Sequence, residues 1–283
     1  MNKLVGYLHL MRPLNCLMMG FAVVVGAVLV NPSAFVAFWQ PLSLGFMTGF
    51  MLTSSSMVMN DYYDRNIDAI NEPKRPIPSG LIQPPEALIF SLSLATIGLI
   101  AAYLTNIFSL VIAIIAWVIS AAYTTFGKRR GLLGNFLVSA CVATPLIYGS
   151  VVVVNTIKLN VLIFVSMVFL SNTGREITKG IVDVQGDKLR NVNTLAVRYG
   201  EKTAAVVAVS FYLSAVLLTP IPYFLNLVSF WFIPLVILTD FGLIVSSCVL
   251  LRNYSRENAR KVKNAVLLCF VVGLLAFVVG TIR

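Results

Sequence analysis

The densest group of potentially reactive side chains lies between Asn60 and Asp68, in the run N-D-Y-Y-D-R-N-I-D. Asp61, Asp64 and Asp68 follow i, i+3, i+7 spacing, which a helix would set on one face. Only 11 of the 283 residues are acidic, and Asp61, Asp64, Asp68 and Glu72 share this one stretch. Like charges on a common face repel, so a cation must sit among them. A second acidic group comes much later: Glu176, Asp183 and Asp187, with Asp183 and Asp187 again on one face at i, i+4. Two carboxylate faces point to a divalent metal gripping a polyphosphate. Asn60, Asp61, Asp64, Asp68, Asp183 and Asp187 all offer oxygen, the ligand Mg²⁺ prefers, and Mg²⁺ is commonly shared between one or two carboxylates, waters and substrate phosphates. The bland alternative is a solvated face in which the carboxylates pair with Arg65, Lys179 and Lys188. It suits an isolated D-x-x-D better than two such clusters at helix ends.

Other metal and nucleophile chemistries lack their residues. His9 is the sole histidine, which excludes a histidine metal cluster and a Ser-His-Asp triad within one chain. Cys16, Cys141, Cys248 and Cys269 are scattered through apolar segments without a C-x-x-C pair, so they read as small buried thiols rather than as ligands for zinc or copper.

The elements that must carry these residues are membrane helices. The chain is 58% hydrophobic and 11% charged, with mean hydropathy +0.89, outside the range of soluble domains. The net charge of +10 therefore reads as basic cytoplasmic loops, not as a nucleic-acid surface. The first apolar run lacks a small-residue cleavage site and reads as a transmembrane helix. A span needs roughly 20 apolar residues, and nine stretches qualify, at roughly 14–30, 41–59, 87–104, 107–125, 132–154, 159–175, 203–222, 229–250 and 263–281. Backbone polar groups cannot stay unpaired in lipid, so these stretches are helical. The expected fold is all-α: a single transmembrane domain over 1–283, nine helices around a central cavity, capped by two aspartate-rich loops at 60–86 and 175–202. Thr105-Asn106 marks a tight hairpin between the third and fourth spans.

Of the 21 lysines and arginines, all but Lys158 and Arg283 fall on one set of alternating loops. That bias places the N-terminus and both acidic clusters in the cytoplasm and the C-terminus outside, in a cell-membrane protein of nine crossings. The two long loops each follow an even-numbered helix, four helices apart, a pattern that an old duplication of a four-helix unit would leave. N-E-P-K-R-P-I-P-S-G, Asn71 to Gly80, contains three prolines and a glycine and must turn. Gly186, Lys188, Arg190 and Asn191 read as a polar cap.

N-D-Y-Y-D-R-N-I-D resembles the N-D-x-x-D-x-x-x-D signature of the UbiA superfamily of intramembrane prenyltransferases. R-P-L-N (Arg12 to Asn15), R-P-I-P-S-G (Arg75 to Gly80) and D-V-Q-G-D (Asp183 to Asp187) agree with it. The resemblance covers nearly the whole chain. R-P-L-N-C-L-M and R-E-I-T-K-G-I-V-D-V-Q-G-D are most similar to the archaeal branch that makes digeranylgeranylglyceryl phosphate. Many relatives carry further acids between the positions of Lys179 and Asp183; here Gly180 and Val182 stand there, leaving a leaner second cluster.

The resemblance implies that a prenyl diphosphate binds through Mg²⁺ bridged by the two motifs, that its C–O bond ionises, and that an acceptor attacks C1. It implies catalytic roles for Asp61, Asp64, Asp183 and Asp187. Arg65, Arg75, Lys128, Arg129 and Lys188 are candidates for the phosphates; plain topology signalling is the other explanation of the 128–130 basic run. Asn15 and Tyr123 join the site by the family's pattern. The implied reaction is transfer of geranylgeranyl from its diphosphate to geranylgeranylglyceryl phosphate, a lipid-phosphate acceptor, forming the second ether bond of an archaeal membrane lipid. An aromatic acceptor, such as a quinone precursor, is the nearest alternative. A magnesium or polyanion transporter is the rival from another class, and the gathering of the carboxylates at one membrane face argues against it.

Overall fold

The computed structural model describes residues 2–282 apart from 128–129 and 190–191, and only the backbone at 67, 70, 71 and 189. Lys128 and Arg129, expected at the site, and Arg190 and Asn191 of the expected cap lie outside the described residues. Among the described residues the chain is helical, in the order α1 (Lys3–Met11), α2 (Pro13–Val30), α3 (Ala34–Ala37), α4 (Trp39–Asn71), α5 (Pro84–Thr105), α6 (Ile107–Thr125), α7 (Leu132–Val154), α8 (Leu159–Val182), α9 (Val184–Leu189), α10 (Leu195–Tyr199), α11 (Glu201–Leu218), α12 (Ile221–Phe224), α13 (Phe232–Arg252) and α14 (Arg256–Val279). Nine spans among them are long and apolar enough to cross a membrane, matching the nine expected stretches.

The aspartate motifs differ from expectation in one respect: they do not sit on capping loops. α4 runs on to Asn71, so Asp61, Asp64 and Asp68 all lie on its final turns. α8 likewise carries Glu176 and Lys179 and ends at Val182, with Asp183 as its C-cap. Hydropathy marks where apolar side chains stop, not where the backbone stops being helical. No proline or glycine occurs between Asn60 and Asn71, and Pro73 is the first residue unable to continue the ladder.

The N-terminus also folds. Asn2 caps α1 by accepting from the Leu4 amide. Arg12 then breaks the helix in a left-handed conformation, φ 53°, and Pro13 opens α2 at a position where its missing N–H is harmless. A non-glycine residue at positive φ is strained, and such strain gathers at functional sites. Lys3 pairs with Glu86 at 2.8 Å, tying α1 to the head of α5. At the expected hairpin, Asn106 accepts from the Ser109 amide at 2.7 Å and starts α6 one residue after α5 ends.

Helices in lipid gain little from hydrophobicity and associate through close packing of small residues and a few hydrogen bonds. α2 and α7 meet in this way: a Cβ on Gly26 would collide with the Leu146 carbonyl, and one on Gly149 with the Val23 carbonyl. Polar contacts join other pairs, including Tyr148 to Thr48 at 3.2 Å, Ser120 to Ser56 at 2.8 Å and Asn172 to Ser139 at 3.1 Å. The helices packed in this way enclose a cavity lined by α2, α4, α6, α7, α8 and α14.

Candidate active site

The first motif is built where α4 leaves the apolar layer. Asp61 is buried, 4% exposed, and an unpaired buried carboxylate costs several kcal/mol. Two arginines answer it. Arg12, from the break between α1 and α2, donates from Nη2 to Asp61 Oδ1 at 2.7 Å. Arg75, from the loop after α4, has Nη1 3.7 Å from the same oxygen and donates to Asp68 Oδ2 at 2.7 Å. Arg75 thus spans two turns of the helix. Burial pulls its pKa down, but Asp68 and Asp61 outweigh burial and hold it above the ordinary value. The loop that delivers Arg75 is folded on itself, with Arg75 N donating to Glu72 O and Ile82 N to Pro76 O. The cation required among the aspartates is therefore supplied by the chain at Asp61 and Asp68.

Asp64 has a different setting. Its Oδ2 accepts from Asn60 Nδ2 at 3.0 Å, and Asn60 lines the cavity. Arg65 donates to the Tyr62 carbonyl at 2.8 Å and lies 4.5 Å over the Tyr62 ring; it is not among the cavity-lining residues. The second motif starts at the end of α8. Asp183 N donates to Lys179 O at 3.0 Å and Asp187 N to Asp183 O at 2.9 Å, so the i, i+4 relation survives the step from α8 into α9. Asp183 and Lys188 are exposed and Asp187 is half-buried.

The cavity has a volume of ≈ 490 Å³, within the usual range for small-molecule sites. Its walls are apolar, with Met18, Leu52, Ile112, Val138, Leu267 and Phe270. Its polar rim includes Asn15 and Tyr123, as the family pattern implies, together with Arg12, Arg175, Glu176 and Lys179. Arg175 Nη1 donates to Glu176 Oε1 at 3.2 Å and Lys179 Nζ to Glu176 Oε2 at 3.4 Å. Arg12, Arg175, Lys179 and Lys263 were not singled out from sequence as site residues. Arg12 had a signal in R-P-L-N, whereas Lys263 had none, being one basic residue in a basic segment.

The oxygen donors suit Mg²⁺. Among the described residues no three His, Cys, Asp or Glu side chains converge into a protein-only metal cage. Mg²⁺ does not require one, because substrate phosphates and waters complete its octahedron. Of the six expected oxygen donors, Asp61 and Asp68 accept from Arg12 and Arg75, while Asn60 and Asp64 lie on α4 and Asp183 and Asp187 around the α8–α9 step.

The sequence profile of the UbiA prenyltransferase family matches residues 18–274. The chain belongs to the UbiA prenyltransferase family. Within that family it is 37% identical over 277 residues to the digeranylgeranylglyceryl phosphate synthase of Archaeoglobus fulgidus, covering 96% of this chain and 93% of that protein. The enzyme of the same name from Methanocaldococcus jannaschii is 33% identical over 283 residues, covering 100% and 98%. A solved structure concerning digeranylgeranylglyceryl phosphate synthase in membranes superposes with a TM-score of 0.82 at 33% identity, covering 100% of this chain and 99% of that one. A UbiA homolog from Archaeoglobus fulgidus, solved with DMAPP and Mg²⁺, shares the fold at a TM-score of 0.72 and 16% identity, covering 96% and 98%. The Asn60–Asp68 motif and its arginine partners thus belong to a UbiA helix bundle.

Proposed function

We propose that the protein transfers a geranylgeranyl group from geranylgeranyl diphosphate to geranylgeranylglyceryl phosphate, forming the second ether bond of an archaeal membrane lipid and releasing diphosphate. The observation that carries this reading is the cavity itself, with the cations Arg12, Arg175, Lys179 and Lys263 and the metal-donor candidate Asn60 in its lining beside apolar walls. Such a shape takes an anionic head at one end and a hydrocarbon chain at the other. The names of the full-length relatives support the acceptor, and the homolog holding DMAPP and Mg²⁺ supports the donor class and the metal.

Asn60, Asp64, Asp183 and Asp187 would hold Mg²⁺, which when bound supplies Lewis-acid neutralisation of the leaving diphosphate. Arg12 and Arg75 keep the buried Asp61 and Asp68 in place, so that the end of α4 is held when the diphosphate docks. The apolar walls enclose the prenyl chain and exclude water, which protects an allylic cation from hydrolysis. The bond from C1 to the diphosphate oxygen breaks with its electron pair on the diphosphate. The acceptor hydroxyl forms the new C–O bond and gives up its proton to the released diphosphate. By the bias of basic residues, the rim opens to the cytoplasm, with the N-terminus on that side and the C-terminus outside.

Purified protein should convert labelled geranylgeranyl diphosphate with geranylgeranylglyceryl phosphate and Mg²⁺, and should not convert it with aromatic acceptors. Excess chelator should stop turnover and added Mg²⁺ should restore it. Full turnover in chelator, or transfer to the aromatic acceptors alone, would overturn the reading.

A further inference from the structure

Asn172, Arg175, Glu176 and Lys179 follow i, i+3, i+4, i+7 spacing, occupy one face of α8 and line the cavity. Lys263 lines it from α14, which packs against α8. Arg175 lies seven residues before the end of α8 (175 to 182), and Lys263 lies seven after the start of α14 (256 to 263). Both are therefore about 10 Å inside their helices, at 1.5 Å per residue.

Charge facing an enclosed cavity at the membrane boundary is costly unless matched, and here it is unbalanced. Among the described residues lining the cavity Glu176 is the one carboxylate. It is shared by Arg175 and Lys179, while Arg12 is matched by Asp61. Arg175 Nε is buried without a hydrogen-bond partner. Lys263 makes no hydrogen bond or ion pair among the described residues. Asp183 lies near enough to act on Lys179 and Lys263 as well, yet three cations facing Glu176 in the lining still leave the cavity wall net positive. A phosphate monoester carries about −1.5 to −2 near neutral pH and suits such a positive wall.

We propose that Arg175, Lys179 and Lys263 form the binding site for the phosphate of the lipid acceptor, and so select a phosphorylated over a neutral acceptor. The inference rests on the proposed reaction. The donor diphosphate belongs with the metal-binding oxygens of Asn60, Asp64, Asp183 and Asp187. Asp183 lies eight residues beyond Arg175 on the α8 axis (175 to 183), about 12 Å further out, with Lys179 between them, one turn short of Asp183. In glycerol phosphate the attacking hydroxyl is only a few bonds from phosphorus. The two anion sites must therefore adjoin without coinciding, as these two sets do.

The test uses the full-length protein with geranylgeranyl diphosphate as donor, and either geranylgeranylglyceryl phosphate or unphosphorylated geranylgeranylglycerol as acceptor. Lys263→Met should raise KM for the phosphorylated acceptor about ten- to a hundredfold, the worth of one charge-assisted bond. It should leave the donor KM unchanged and have no effect with the neutral acceptor. Lys263→Arg should restore KM. On the unmutated protein, which needs no tolerance of substitution, glycerol phosphate should inhibit competitively against acceptor and not against donor. A rise in donor KM alone, an equal loss with both acceptors, or glycerol phosphate competing only with donor would each overturn the assignment. If the unmutated protein transfers nothing to the phosphorylated acceptor, the parent reaction falls and the phosphate site with it; that outcome is separate from a working enzyme indifferent to Lys263.

Discussion

Arg12 Nη2 donates to Asp61 Oδ1 at 2.7 Å, across the head of the helix bundle. One partner sits at a strained helix break, φ 53°, and the other is the first aspartate of the α4 motif. The contact therefore fixes the motif against the N-terminal segment as well as neutralising it. Removing one member leaves a buried charge exposed to nothing, which costs more than the pair contributes.

Arg12→Ala should lower stability by up to about 3–5 kcal/mol, moderated by Arg75, which approaches the same oxygen. Asp61→Asn in the same background should recover part of the loss. Thermal unfolding of the two single variants and the double variant in detergent checks this, and strictly additive losses would mean that the pair is not coupled.

The α2–α7 contact makes a prediction independent of catalysis. A methyl at Gly149 meets the Val23 carbonyl, a backbone atom that cannot swing aside. Gly149→Ala should destabilise by about 1–3 kcal/mol, the usual penalty for overpacking, with activity lost in proportion to unfolded protein. Gly80→Ala is the contrast. It meets nothing within 4 Å but stands at φ 75°, so its loss should come from backbone strain alone. A Tm unchanged by Gly149→Ala would show that the two helices do not pack this closely.

Asp183→Ala and Asp187→Ala should each lower kcat by orders of magnitude while the protein stays folded. Ligands of a metal on the leaving group act mainly as charge separates, and a misplacement of about 1 Å can cost ~100-fold. Glu257 is the control, because it is highly exposed and, among the described residues, pairs only with Lys261 at 2.8 Å, one turn along α14. Glu257→Ala should be near neutral in single-turnover assays. Equal damage from Glu257→Ala would assign the loss to the whole face rather than to the motif.

In a cysteine-free background, Ser79→Cys should react with an impermeant thiol reagent only from the cytoplasmic side, and Asn155→Cys only from outside. The expectation follows from the charge bias of the loops. Reaction of both from one side would break the count of crossings between them.

Much of this was legible in the chain. Spans follow from the length of apolar runs, because lipid demands that each crossing satisfy its own backbone. The aspartate spacing, the R-P-L-N and R-P-I-P-S-G segments and the second motif carried the family resemblance, and Asn15, Asn60 and Tyr123 do line one cavity. The aspartate spacing implied a helix through the motif, but not that it is the unbroken end of α4, because hydropathy ends at Asn60 while hydrogen bonding continues to Asn71.

The division of labour among the charges was decided only in three dimensions. Sequence alone establishes that Asp61, Asp64 and Asp68 share a helical face and that repulsion requires a cation there. It does not say which cation. Tertiary packing brings Arg12 from 49 residues away and Arg75 from the following loop onto Asp61 and Asp68, while Asp64 pairs with Asn60 at the cavity side. The same packing sets Lys263 beside Arg175 and Lys179, on helices that meet only when the bundle closes. Spacing along one helix is a local property, written in the 3.6-residue repeat. Which oxygen meets which guanidinium depends on contacts between distant segments, and these exist only once the helices have packed.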